Sequence, residues 1–119
     1  MARVLVVDDA KDVLLFVEQV LQSAGHEVVP CEDALDLEVR LEEQRPQLLL
    51  LDIVLPERNG YQVLRSLRRS DATKQLPVVL ISSKKEETDI EWGMMQGADG
   101  YLTKPFSADS LLEVVERFQ

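Results

Sequence analysis

Asp52 follows four consecutive leucines, Leu48 to Leu51, and Ile53-Val54-Leu55-Pro56 comes after it. A short continuous apolar run of this kind suits a strand buried on both faces, as in parallel sheets. The carboxylate then stands at the carboxyl end of that strand, where open α/β sheets hold their ligands. Val4-Leu5-Val6-Val7 is a second such run, and it ends in Asp8-Asp9. If the two strands are neighbours, three carboxylates crowd one crevice. Like charges that close are costly unless a cation joins them. Oxygen ligands with room for water favour Mg²⁺ over Ca²⁺. With His26 the only imidazole and Cys31 the only thiol, zinc is a poor match. Two further strand ends add the Ser82 hydroxyl and the Lys104 ammonium, a compact cation suited to phosphate. Nucleophile, metal ligands, hydroxyl and ammonium are the parts for in-line phosphoryl transfer to Asp52. Pro105, next to Lys104, is a candidate cis peptide.

Each residue has a plainer reading by itself. Asp8-Asp9 suits a strand-end turn, Ser82 a helix cap and Lys104 a solvated loop. Their common position, at the ends of successive strands, is what joins them.

The elements that must position them follow from periodicity. Val13, Val17, Val20 and Ala24, with Leu14 and Leu21 beside them, predict a helix from Asp12, stopped by Gly25. Glu27 to Cys31 is a second strand, with His26 an exposed turn residue and Cys31 a half-buried, inert one. Asp33 can cap a helix carrying Ala34, Leu37 and Leu41, and Pro46 closes that section. Asn59 can cap a third helix with Tyr61, Leu64 and Leu67 inside. Pro77 to Ile81 is a fourth strand, and Glu86 to Gln96 a weak helix with Ile90, Gly93, Met94 and Gly97 on one side. Gly100-Tyr101-Leu102 is a short fifth strand. Ser107 caps a last helix with Leu111, Leu112, Val115 and Phe118 inside. Five strand–helix repeats give an α/β protein, a parallel sheet with helices on both faces.

The 119 residues fit one domain with one real core. A formal charge of −9 argues against a sequence-independent grip on nucleic acid. One cysteine excludes an internal disulfide. No apolar run reaches membrane-spanning length, so no membrane insertion is expected. Met1-Ala2-Arg3-Val4 enters a strand directly, which gives no signal peptide and a cytoplasmic location as the expectation. The chain stops where the fifth helix stops, so a lone domain and a monomer are expected.

Asp8-Asp9, Asp52 with Pro56 and Gly60 after it, Ser82, Gly97-Ala98, Tyr101 and Lys104-Pro105 together carry a resemblance. Over its whole length the sequence resembles a response-regulator receiver domain of the single-domain chemotaxis-regulator type. The resemblance implies one domain over residues 1–119. It also implies a doubly wound, flavodoxin-like fold with five parallel strands in the order 2-1-3-4-5. It implies phosphorylation of Asp52 by a histidine kinase's phosphohistidine. Mg²⁺ would be held by Asp9, Asp52 and the backbone carbonyl of Val54, with Asp8 acting through water. Ser82 and Tyr101 would be the switch pair, and the face of the fourth helix, fifth strand and fifth helix would bind a downstream protein. Glu87-Thr88-Asp89, Trp92-Gly93, Gln96-Gly97-Ala98 and Tyr101 to Pro105 further resemble regulators of type IV pilus twitching motility. That finer resemblance implies a partner in the motility apparatus.

Some positions depart from the commonest pattern. Val54 is apolar where many family members carry a polar or longer side chain, and with Lys84 it flanks the route for attacking water. Ala10 stands where a polar residue is common, and Ser83 is small. Trp92 and Met95 lie off the Ile90/Met94 stripe. They either pack on a neighbouring helix or, with Tyr101, form a partner surface. Chemistry on Asp52 itself, phosphorylation and slow hydrolysis, is not enzyme turnover in the usual sense. Three rivals remain. A Mg²⁺-dependent phosphohydrolase generally needs a second carboxylate at the position of Val54. A non-phosphorylated scaffold does not explain the intact acid set. A flavin carrier lacks its phosphate loop after the first strand.

Overall fold

The computed structural model describes residues 1–119. Five strands and five helices alternate: β1 (Arg3–Val7), α1 (Lys11–Ser23), β2 (Glu27–Cys31), α2 (Leu37–Gln44), β3 (Leu48–Asp52), α3 (Gly60–Arg69), β4 (Val78–Ser82), α4 (Glu87–Met95), β5 (Gly100–Thr103) and α5 (Ala108–Arg117). The strands form one parallel sheet in the order β2-β1-β3-β4-β5. The order reverses between β1 and β3, whose registers set Val7 beside Leu51. This reversal opens a crevice at the carboxyl ends.

β3 is central, and all five of its residues are buried. Their side chains alternate between two cores. Leu49 and Leu51 join Val63, Leu64 and Leu67 of α3 and Leu37 and Leu41 of α2. Leu48 and Leu50 join Leu14, Val17 and Leu21 of α1 and Leu111 and Val115 of α5. Burying each such side chain stabilises the fold by about 2 kcal/mol, so the strand ends that carry the polar residues are firmly placed.

Local signals set most boundaries. Asn59 Oδ1 accepts from Tyr61 N at 2.8 Å and Ser107 Oγ from Ser110 N at 3.1 Å, capping α3 and α5. Gly25 takes φ +88° just past α1.

Several expectations are corrected. His26 is buried, and its Nδ1 accepts from Ala2 N at 2.9 Å. It satisfies a donor at the start of the sheet that would otherwise be buried unpaired. Cys31 is fully buried rather than half-buried. Asp33 makes a turn, accepting from Leu35 N at 3.0 Å, and α2 starts a turn later without a side-chain cap. Ala24 lies exposed, and the buried stripe of α1 is Leu14, Val17 and Leu21. In α5, Val114 joins Leu111 and Val115 as a buried residue, and Leu112 and Phe118 pack on the same core only partly buried. In α4, Gly93 is buried and Ile90 half-buried, as the stripe predicts, but Met94 points to solvent.

Candidate functional site

Asp8 and Asp52 stand two residues beyond Val6 and Leu50, at the carboxyl ends of adjacent strands. Both are buried, at 0% and 4% exposure, whereas Asp9 is exposed. Asp8 Oδ1 accepts from Ala10 N at 2.9 Å, and Asp52 Oδ1 accepts from Val54 N at 3.2 Å. Lys104 follows β5, whose Leu102 and Thr103 pair with Ile81 and Ser82 of β4. Its backbone N donates to the Ser82 carbonyl at 2.7 Å, which brings the side chain back over the crevice. Lys104 Nζ lies 2.6 Å from Asp8 Oδ2 and donates to Asp52 Oδ2 at 3.3 Å. The Lys104–Pro105 peptide is cis.

Electrostatics there are unbalanced. Burial, then the Asp8 charge, pushes Asp52 up to about 6, against the pull of Lys104 and the Val54 amide. Burial alone would lower Lys104, but the two carboxylates hold its ammonium above its usual value. One ammonium faces three carboxylates. Asp8 Oδ2, though paired by charge with Lys104, has no aligned hydrogen bond. One oxygen from each of Asp8, Asp9 and Asp52 can lie within 4.8 Å of the others. A buried acceptor without a directed donor, in an all-oxygen set of excess negative charge, suits a hard divalent cation.

The loop after β3 is held close. Gly60 N donates to the Ile53 carbonyl at 2.8 Å, and Val54 bridges Asn59. A Cβ at Gly60 would sit 2.6 Å from the Asp52 carbonyl oxygen and from Ile53 Cα, so the close approach requires glycine. The Val54 side chain is 61% exposed at the mouth. Ser82 is buried, and its Oγ accepts from Lys84 N at 3.0 Å. The Tyr101 hydroxyl donates to the Lys84 carbonyl at 2.7 Å. The peptide groups of Lys84 are thus gripped on one side by Ser82 and on the other by Tyr101. Burial pushes the Tyr101 phenol up, with the Ser82 side chain opposing.

Trp92 and Met95 are 48% and 75% exposed, away from the carboxylates, with Trp92 edge-on to Tyr61 at 6.4 Å between centroids. Three features escaped the sequence reading. Arg58 makes a bidentate pair with Glu38, at 2.9 and 3.0 Å, and donates to the Ala34 carbonyl, tying the β3–α3 loop to α2. Arg68 donates to Gly97, Leu76 and Asp99, fastening α3 to the turn before β5. Phe106 packs edge-on to Phe16 at 5.9 Å, beside an open cleft of about 550 Å³ shared with Asp12 and Lys104. None of these residues lies on an apolar stripe singled out by periodicity, so no local pattern announces the contacts. A larger depression of about 1010 Å³, lined among others by Arg45, Gln47 and Pro77, lies at the amino ends of the strands, away from this chemistry.

Fold and crevice together define a flavodoxin-like α/β module with a carboxylate site at its switch point. The chain belongs to the response regulator receiver domain family, whose model matches residues 4–116. It is therefore a signalling module of the two-component type, related to chemotaxis regulators. It is 37% identical over 115 residues to Protein PilH of Pseudomonas aeruginosa, covering 97% of this chain and 95% of that one. Protein PilG of the same organism is 33% identical over 114 residues, 96% and 84% of the two chains. Among solved structures, the chemotaxis protein CheY4 of Vibrio cholerae superposes with a TM-score of 0.91 at 28% identity. That match covers 100% of this chain and 99% of the other. No helix is long and apolar enough to cross a membrane.

Proposed function

We propose that residues 1–119 act as one receiver domain that takes a phosphoryl group on Asp52 from a histidine kinase's phosphohistidine. One Asp52 oxygen attacks phosphorus, the P–N bond to the donor imidazole breaks, and the imidazole leaves with that electron pair. The observation that carries this reading is the buried Asp52 carboxylate, crowded by Asp8 and paired with Lys104 at the switch point. Asp9, Asp52 and the Val54 carbonyl would hold Mg²⁺, with Asp8 acting through water. Bound there, Mg²⁺ supplies positive charge against the phosphoryl oxygens and relieves repulsion among the carboxylates. Lys104 moves from its carboxylate partners to a phosphoryl oxygen, and Ser82 donates its hydroxyl to another.

Ser82 is also the start of the switch. As its hydroxyl turns to the phosphoryl group it slackens its hold on Lys84 N, and the loop that Tyr101 grips from the other side shifts. Tyr101 turns inward, and the α4–β5–α5 face gains affinity for a downstream protein. The phosphoryl group moves this equilibrium only by its differential interaction with the two shapes. The domain catalyses its own phosphorylation and slow hydrolysis only, and acts as a cytoplasmic monomer. Its likeness to PilH and PilG supports the type IV pilus subgroup and a partner in the motility apparatus.

Intact mass after incubation with Mg²⁺ and a small-molecule phosphodonor tests the reading. A single Mg²⁺-dependent adduct on the wild type, absent from Asp52→Asn, is expected. No adduct together with no Mg²⁺ binding would leave a non-phosphorylated scaffold instead.

A further inference from the structure

Apart from the half-buried Ile90, α4 turns its large apolar side chains the wrong way for a helix that only packs on its own sheet. Its buried residue is Gly93, against Leu80 and the Tyr101 ring, while Trp92, Met94 and Met95 face solvent. A surface helix ordinarily directs its apolar stripe at the core. At 100° per residue, Met95 stands nearly opposite Gly93, with Glu91 and Glu87 on one flank and Thr88 and Trp92 on the other. Trp92–Met95 and Glu87–Glu91–Met95 are neighbours along the surface by their spacing of three and four. None of Glu86, Glu87, Asp89 and Glu91 has an ion-pair partner, whereas the chain's lysines and arginines pair elsewhere or stand free. Lys84 and Lys85 precede this face at the amino end of α4.

We propose that the outward face of α4 docks a cationic amphipathic segment of a partner protein, its apolar side chains on Trp92 and Met95 and its cations toward Glu87 and Glu91. The link to phosphorylation rests on the function proposed above. Exposed tryptophan and methionine are typical interface anchors, and unpaired acids around them select a basic partner and speed its approach. Other exposed apolar residues carry less. Phe16 leans on Phe106, and Leu35 and Val39 of the α2 region offer no aromatic anchor. α4 is also reached directly from the Lys84 loop that Ser82 and Tyr101 hold. A second copy is a poor occupant, because each chain carries −9 and self-pairing sets the acids of one face against those of the other. The same charge repels an anionic membrane or nucleic acid.

The test uses a fluorescein-labelled amphipathic peptide of leucine and lysine, with a leucine–glutamate peptide of the same pattern as control. Anisotropy should report binding of the lysine peptide alone, weakened by salt. Affinity should fall about tenfold in Trp92→Ala/Met95→Ala. In Glu87→Gln/Glu91→Gln it should fall less and lose part of its salt dependence. Thermal melts should be unchanged in the glutamine pair and only slightly lowered in the alanine pair, which gives up the edge-on contact of Trp92 with Tyr61. Equal binding by the glutamate peptide, unchanged affinity in the alanine pair, or no binding at all would overturn the proposal. Trp92-dependent self-association in sedimentation would overturn it in favour of a second copy. Repeating the titration with Mg²⁺ and phosphodonor, and scoring the adduct by mass, separates the two readings. An adduct without peptide binding removes only the docking surface, and peptide binding without an adduct removes only the phosphorylation.

Discussion

In the crevice, Asp8, Asp52 and Ser82 are buried at the ends of fully packed strands, whereas α4 is seated on the sheet through a glycine. The first region is well packed and electrostatically unfavourable: carboxylates crowd one ammonium, and an Asp8 oxygen lacks a directed donor. The second is electrostatically open and loosely packed, with Trp92 half-exposed and Met95 largely in water. Each is therefore responsive to a different ligand chemistry. Charge neutralisation relieves the crevice, and apolar burial completes α4. Lys84 lies between them, held by Ser82 from the crevice and by Tyr101, whose ring rests on Gly93 of α4.

Four substitutions probe this contrast, in falling order of expected effect. Gly60→Ala drives a Cβ into backbone at 2.6 Å, where nothing can swing aside. It should cost about 3 kcal/mol or more in urea unfolding. A cost below about 1 kcal/mol would show that the crevice is not rigidly packed.

Asp52→Asn should do the reverse and stabilise the metal-free protein. The native carboxyl is raised from 3.8 to about 6 by burial and Asp8, so the folded state holds its proton more tightly than the unfolded chain. That contribution is complete below the unfolded value and is lost as pH rises through about 6. At neutral pH the wild type should therefore be less stable than the variant by about 1–3 kcal/mol. The gap should close toward pH 4. Mg²⁺ should stabilise the wild type and act weakly on the variant. Calorimetric melts across this range, with and without Mg²⁺, supply the check, and a pH-independent difference would remove the electrostatic account.

Gly93→Ala makes the same chemical change as Gly60→Ala against a different background. The new methyl meets the ends of Leu80 at 2.8 Å and Tyr101 at 3.3 Å, both side chains that can give. A gain in helix propensity of about 1 kcal/mol offsets part of the clash. The net cost should be under about 1.5 kcal/mol, with Tyr101 displaced and its aromatic NMR shifts moved. Trp92→Ala should change stability least. It loses an edge-on contact with Tyr61, so about 0.5–1 kcal/mol is expected. A loss above about 2 kcal/mol in urea unfolding would make Trp92 a structural residue and erase the contrast.

Much of this molecule is readable from residue order, for physical reasons that differ by element. Leu48 to Leu51 and Val4 to Val7 have no polar face, so only a strand covered on both sides accommodates them, and the carboxylates after them must stand at its end. Asn59 and Ser107 act through bonds to amides two and three residues on, so their caps are local and legible. In α4 the inward place of Gly93 is legible but the outward place of Met94 is not, because two glycines and a weak periodicity leave the rotation of the helix to its neighbours. The space beneath it is filled by Leu80 and Tyr101, which favours Gly93 as the residue turned fully inward. His26 reads as a turn residue because its partner, Ala2 N, is distant in sequence. Arg58 and Arg68 leave no signal in residue order for the same reason, their partners Glu38 and Gly97 lying 20 and 29 positions away.

Burial of continuous apolar runs and local capping act over a few residues, so the strands, their polar ends and the kind of chemistry the crevice can do are legible in residue order. Long-range packing is what sets Lys104 between Asp8 and Asp52, lets Ser82 and Tyr101 grip Lys84, and leaves Trp92 and Met95 of α4 exposed. Those arrangements depend on which strands are neighbours and how closely their backbones approach, and no local pattern carries that information.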